Sequence, residues 1–133
     1  MGRIVLAVIG GYFLTGILVV ATDRLFALFV PGMDGTGNPP AYYFALSLAT
    51  DSLYSLVGGY YCAAIAAAGG VVGNARKARW ALIAFGESLG IASQAMFWNS
   101  VPHWYGIGLL ILFPIGVWMG AGLRMRGKRP ATA

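Results

Sequence analysis

Charge is what this sequence has least of. Only 10% of its 133 residues are charged, against about a quarter in soluble globular domains. Acids are the scarcer sign: Asp23, Asp34, Asp51 and Glu87 stand against nine lysines and arginines. Cysteine occurs once, as Cys62, so no disulfide can close within the chain and the redox compartment is unread. With His103 as the single histidine, a Cys/His zinc site is excluded within one chain. Glycine-rich phosphate loops, dinucleotide fingerprints and nucleophile elbows are all missing. Ser100 near His103 reads as an ordinary loop residue. No metal, no cofactor and no enzymatic activity are expected, although Asp51 with Glu87 leaves a carboxylate dyad open as a membrane-enzyme reading.

What the chain does have is apolar length. It is 59% hydrophobic and holds twenty glycines. Apolar runs of about 20 residues suffice to cross a bilayer as helices. Such runs fall at about 4–29, 42–69, 78–98 and 103–124, followed by a basic tail at 125–133. Stretches such as "GIGLLILFPIGVWMG" are apolar on every side, which the period-two strands of a membrane barrel are not. Helices satisfy their own backbone in lipid, so the expected fold is all-α, a single integral membrane domain of four transmembrane helices. The first run exceeds a signal-peptide core and reads as a retained span.

Basic residues orient it. Arg3, Arg76, Lys77, Arg79, Arg124, Arg126, Lys128 and Arg129 fall on one side of these spans, and only Arg24 belongs to the other. Basic flanks stay cytoplasmic, so both termini are expected inside an inner (plasma) membrane of bacterial type. No exposed aromatics are interleaved with the basic residues, so nucleic acid is not an expected partner. The bilayer is, together with a homo-oligomer or a larger membrane complex. Tyr42, Tyr43, Trp98, Trp104 and Tyr105 at the outer ends, with Trp80 and Trp118 at the inner ends, read as interface anchors. The stretch "PGMDGTGNPP" (31–40) is the longest outer connection, and the short links elsewhere favour an up-down antiparallel bundle.

One phrase occurs twice, "ATDRLFALF" at 21–29 and "ATDSLYSLV" at 49–57, accompanied by "GGYF" at 10–13 and "GGYY" at 58–61. Duplication and chance in a biased composition both account for it. Either way, antiparallel spans put both glycine pairs in the inner half and both aspartates in the outer half. At 1.5 Å per residue, Asp23 lies about 10 Å and Asp51 about 7 Å outward of the span centres. The recurring glycines and alanines of span two, and Gly116 with Gly120 in span four, suit close helix packing. Pro114 is expected to kink span four and free the Leu110 carbonyl.

The candidate site residues are the polar groups within the spans. Glu87 is central, and a carboxylate there demands a partner or water. Helical spacing puts Ser47, Asp51, Ser55, Gly58, Gly59 and Cys62 on one stripe of span two. Glu87, Gly90, Ile91, Gln94 and Trp98 share a stripe of span three. If these stripes face each other, an outward-opening polar cavity results. Arg24 is expected to reach Asp51 or Glu87 as counter-ion. Binding or ion coupling is therefore assigned to Glu87, Asp51, Arg24 and Gln94, with Asp23, Ser55 and His103 as secondary candidates. The expected function is an oligomeric transporter or channel for a small solute or ion; the alternative is an accessory subunit of a larger membrane complex.

Overall fold

The computed structural model describes residues 1–30, 39–68 and 70–127. Among the described residues there are four α-helices and no strand: α1 Gly2–Phe29, α2 Ala41–Ala66, α3 Val72–Phe97 and α4 His103–Arg126. Most of the expected outer loop (31–38), Gly69 and the tail from residue 128 lie outside the described residues. Prolines start two of the helices, with Pro40 and Pro102 as N-caps, where the absent N–H costs nothing. Gly70 turns the α2–α3 link at φ +88°, a conformation that suits glycine.

Two boundaries differ most from the sequence expectation. The second helix stops at Ala66 rather than 69, and the third begins at Val72 rather than 78. Hydropathy marks apolar depth, whereas a helix needs only backbone hydrogen bonds. It therefore continues through Asn74, Arg76 and Lys77. The fourth passes through Pro114 as one element.

The chain runs up and down, but its helices do not pack in chain order. Helix α2 packs most extensively against α4, then α1, and α1 does not meet α4. Neighbours in sequence are antiparallel: Gly11 meets Cys62 and Gly58, and Gly90 meets Leu110. The α2–α4 pair is parallel, because Leu48, Ser55 and Leu56 advance with Gly108, Gly116 and Gly120. So is α1–α3, where Gly11 lies by Leu82 and Tyr12 stacks edge-on with Phe85 at 5.1 Å. Bare glycines make the parallel approach possible: a Cβ on Gly59 would stand 2.7 Å from the Cα of Val117. The two echoed glycine pairs meet at one crossing, where a Cβ on Gly58 would lie 2.8 Å from the Gly11 carbonyl oxygen.

The interior is built from small residues. Ala7, Cys62, Ala66, Ala78, Leu82 and Val117 form the main cluster, and among the described residues no fully buried side chain is larger than Leu82. Large apolar groups such as Phe13, Ile17, Leu28, Phe29 and Met96 are exposed instead. By length and composition α1 and α4 are sufficient to cross a membrane. Helices α2 and α3 are diluted by tyrosine, serine, glycine and charge. One end of the bundle carries the N-terminus, the α2–α3 link and the end of α4; there Arg3 Nη1 donates to the Ala68 carbonyl. At this basic end Arg79 is buried, its guanidinium 3.5 Å from the Trp118 ring centroid. Trp80 and Trp118 form an edge-on pair at 5.1 Å, so the two indoles, expected as interface anchors, cradle an arginine.

Candidate functional site

A cavity of about 330 Å³ opens in the half of the bundle away from the basic end. All four helices line it: Tyr12, Thr15 and Gly16 from α1, Asp51 and Ser52 from α2, Gly86, Glu87, Gly90, Ser93 and Gln94 from α3, and Tyr105, Leu109, Leu110 and Phe113 from α4. The packing order explains the space. Helices α1 and α4 never meet, and the α1–α3 contact at Tyr12 and Phe85 lies on its basic side. Beyond that contact the far end of α3 is exposed, including Ile91, Met96, Phe97 and Trp98. Glycines set the inner wall, with Gly86 against the Phe113 ring and Gly90 positioned so that a Cβ would sit 3.2 Å from Leu110 Cδ2. Leu110, whose carbonyl Pro114 leaves without its helical donor, is part of the lining.

Three of the leading candidates come together here: Asp51, Glu87 and Gln94. Asp51 is buried and accepts a hydrogen bond from the Tyr105 hydroxyl at 3.1 Å. Glu87 is half-buried and accepts no side-chain hydrogen bond among the described residues. Gln94 packs over Gly106, where a Cβ would stand 2.8 Å from Gln94 Cδ, and its Oε1 is buried without a partner. The lining residues include no lysine, arginine or histidine. The site is acidic and acceptor-rich.

Arg24 is the correction. It is exposed and absent from the cavity lining, so the expected pairing with Asp51 or Glu87 is not made. The reason is angular. Thr15 and Thr22 face α2, bonding the Tyr54 carbonyl at 3.3 Å and the Tyr54 hydroxyl at 2.6 Å. Arg24 lies about 900° of helix rotation past Thr15, roughly half a turn out of phase, and so faces away. Asp23 stands between these directions and accepts from the Tyr43 hydroxyl at 3.4 Å, outside the cavity.

The other secondary candidates also lie elsewhere. Ser55 donates to the Ser52 carbonyl at 2.7 Å and packs on Gly116, a helix-packing role. His103 is exposed and stacks on Trp98 with centroids 4.2 Å apart. Of the α3 stripe, Ile91 and Trp98 are exposed and only Glu87, Gly90 and Gln94 reach the cavity. The α2 stripe does not face α3 alone; Ser55 and Gly59 pack on α4, and Gly58 on α1.

Sequence reasoning missed Tyr105, which it read as an interface anchor, and likewise Tyr43, which is buried in an aromatic group with Phe26 and Phe44. A signal for Tyr105 existed. Tyr105, Leu109, Phe113, Gly116 and Gly120 recur at steps of three to four, so the tyrosine shares the face on which the packing glycines lie. No protein-family model matches the chain, and neither a curated protein nor a solved structure matches it.

Proposed function

We propose that this chain is an integral membrane protein whose four helices cross the bilayer and whose cavity takes up a small solute or ion for transport. The inverted distribution of side chains supports the first part. Small and polar residues are buried while large apolar ones face outward, the arrangement expected where lipid is the solvent and helices associate by close packing. The basic residues gathered at one end support termini in the cytoplasm, and an acidic cavity that opens toward the opposite side.

The observation that carries transport is the meeting of Asp51, Glu87 and Gln94 in one cavity. Glu87 is the coupling carboxylate in this reading, because the residues lining the cavity include no cation to neutralise it. Asp51, held by Tyr105, shapes the acidic wall. A second copy of the chain would complete the wall left open where α1 and α3 part, which makes a homo-oligomer the working form.

The test is proton- or cation-coupled uptake by purified protein in liposomes. Wild type is expected to support flux and Glu87→Gln to reduce it by about 100-fold or more, the scale for loss of a proton-handling group. Unchanged flux in Glu87→Gln would remove that residue from the mechanism. No flux in wild type would favour the accessory-subunit reading, in which the glycine faces serve a larger complex.

A further inference from the structure

Arg79 has no part in the cavity and no counter-ion. It is the one buried basic residue among those described, only 8% exposed. A buried charge is costly unless an opposite charge or a hydrogen-bond partner answers it. Its Nε is enclosed with no acceptor, while neither Nη atom is bonded or enclosed among the described residues. No described acid stands at this depth. Asp23 and Asp51 belong to the far half, and Glu87, two turns on along α3, is about 12 Å away and lines the cavity instead. What Arg79 does have is an aromatic seat, with the ring centroids of Trp118 and Trp80 at 3.5 and 5.8 Å from its guanidinium carbon. A ring face answers the charge but not the N–H groups, which a guanidinium directs in its own plane. Both indoles are exposed, so this seat lies at the surface of the α3–α4 seam and not in the core.

From this unanswered guanidinium we infer that the α3–α4 seam at the basic end binds the phosphate of an anionic phospholipid headgroup, with Arg79 as its principal donor. The inference rests on the integral-membrane reading above and is independent of transport. A phosphate brings both things that Arg79 lacks, negative charge and acceptor oxygens spaced for a two-pronged guanidinium bond. Arg76, exposed one turn before Arg79 on the same side of α3, adds positive charge. A zwitterionic headgroup carries its own cation against these two arginines, so a headgroup without one is favoured. The surroundings favour a lipid over a free phosphate. Ile111 and Ile115 precede Trp118 on one face of α4 and are exposed. They form an apolar track from the indole toward the middle of the bundle, where acyl chains lie below a headgroup. A soluble anion has no use for that track. Basic clefts between helices on the cytoplasmic side suit anionic headgroups for the same reasons.

Tryptophan quenching of purified protein in vesicles of phosphatidylcholine and phosphatidylglycerol tests this. Trp98→Phe with Trp104→Phe leaves Trp80 and Trp118 as the remaining indoles, both at the seat. Dibrominated acyl chains are placed on one lipid and then on the other at equal mole fraction, and the ratio of quenching reads which lipid occupies the seam. Phosphatidylglycerol is expected to be favoured by about fivefold, the weight of one basic residue at an anionic surface. Arg79→Gln should abolish that preference. Arg79→Lys, which keeps the charge but not the planar fork, should retain only part of it, and a thermal melt verifies that each variant is folded. Lys77→Gln removes the same charge about 200° round α3 from Arg79 and should leave the preference unchanged. Equal losses in Lys77→Gln and Arg79→Gln would mean diffuse surface attraction and overturn the inference. Excess inorganic phosphate should not relieve the quenching; relief would give the seat to a free anion and overturn the lipid. Equal quenching of wild type by the two lipids also overturns the inference, yet leaves the membrane reading standing. A chain that stays outside the vesicles, unquenched by either lipid, defeats both.

Discussion

At the residue scale, the molecule depends on where side chains are absent. A Cβ on Gly120 would run into the Leu56 carbonyl and stand 2.9 Å from the Tyr60 backbone nitrogen. One on Gly59 would lie 2.7 Å from the Val117 Cα. In both cases the obstacle is backbone, which cannot rotate aside as a side-chain end can. Gly59→Ala and Gly120→Ala are therefore each expected to destabilise the fold by about 1–3 kcal/mol, as overpacking does. Gly122, whose Cβ would meet nothing within 4 Å, is the control: Gly122→Ala should leave stability unchanged or raise it by up to about 1 kcal/mol through helix propensity. Detergent-solubilised thermal melts separate the two groups. The polar residues follow a comparable logic, with each echoed aspartate taking a tyrosine hydroxyl from another helix, Asp23 from Tyr43 and Asp51 from Tyr105.

At the element scale, the result with most consequence is the parallel contact of α2 with α4. Loop lengths restrain only helices joined directly, so the short links were informative about antiparallel neighbours and silent about this pair. Glycines decided it, because α4 presents Gly108, Gly116 and Gly120 along one side at helical spacing. That side was legible in part: the sequence reading took Gly116 and Gly120 as a packing face, without knowing which helix would occupy it. A cross-link tests the register. Leu48→Cys with Gly108→Cys, in a Cys62→Ala background, should form a disulfide under mild oxidation, since the Gly108 Cβ position lies 3.7 Å from Leu48 Cγ. Cysteines at Ile17 and Ile111, on the two helices that do not meet, should stay reduced. A cross-link in the second pair and none in the first would reverse the packing order. The same order leaves room for the cavity between α1 and α4, the diagonal pair that makes no direct contact.

At the scale of the whole molecule, the separation of charge sets the predicted orientation. The basic end carries Arg3, Arg76, Lys77, Arg79, Arg124 and Arg126, whereas Asp23, Asp51 and Glu87 lie toward the middle and far half. A C-terminal fluorescent reporter that matures only in the cytoplasm should therefore be active, and alkaline phosphatase at the same position silent. The opposite pattern would invert the topology and place the cavity mouth inside. Carbonate extraction of native membranes should leave the chain in the pellet; release into the supernatant would end the integral-membrane reading.

The sequence alone determined the class of element and the list of polar groups that a greasy chain must place somewhere. Apolar runs and glycine content are local properties, and helix formation depends on local hydrogen bonds, so four helices could be counted before any packing was known. Glu87, Asp51 and Gln94 were likewise legible, because an ionisable or amide group in an apolar run is conspicuous and costly. Only the tertiary structure decided which of these groups share a space. Arg24 and Asp51 occupy compatible depths on adjoining helices, yet the rotation of α1 that seats Thr15 and Thr22 on α2 turns Arg24 outward. Tyr105 took the place at Asp51 instead, brought there by a parallel helix that the connections did not announce. Depth along a helix can be counted from residue numbers, whereas rotation about its axis is chosen by its neighbours, and the cavity depends on both.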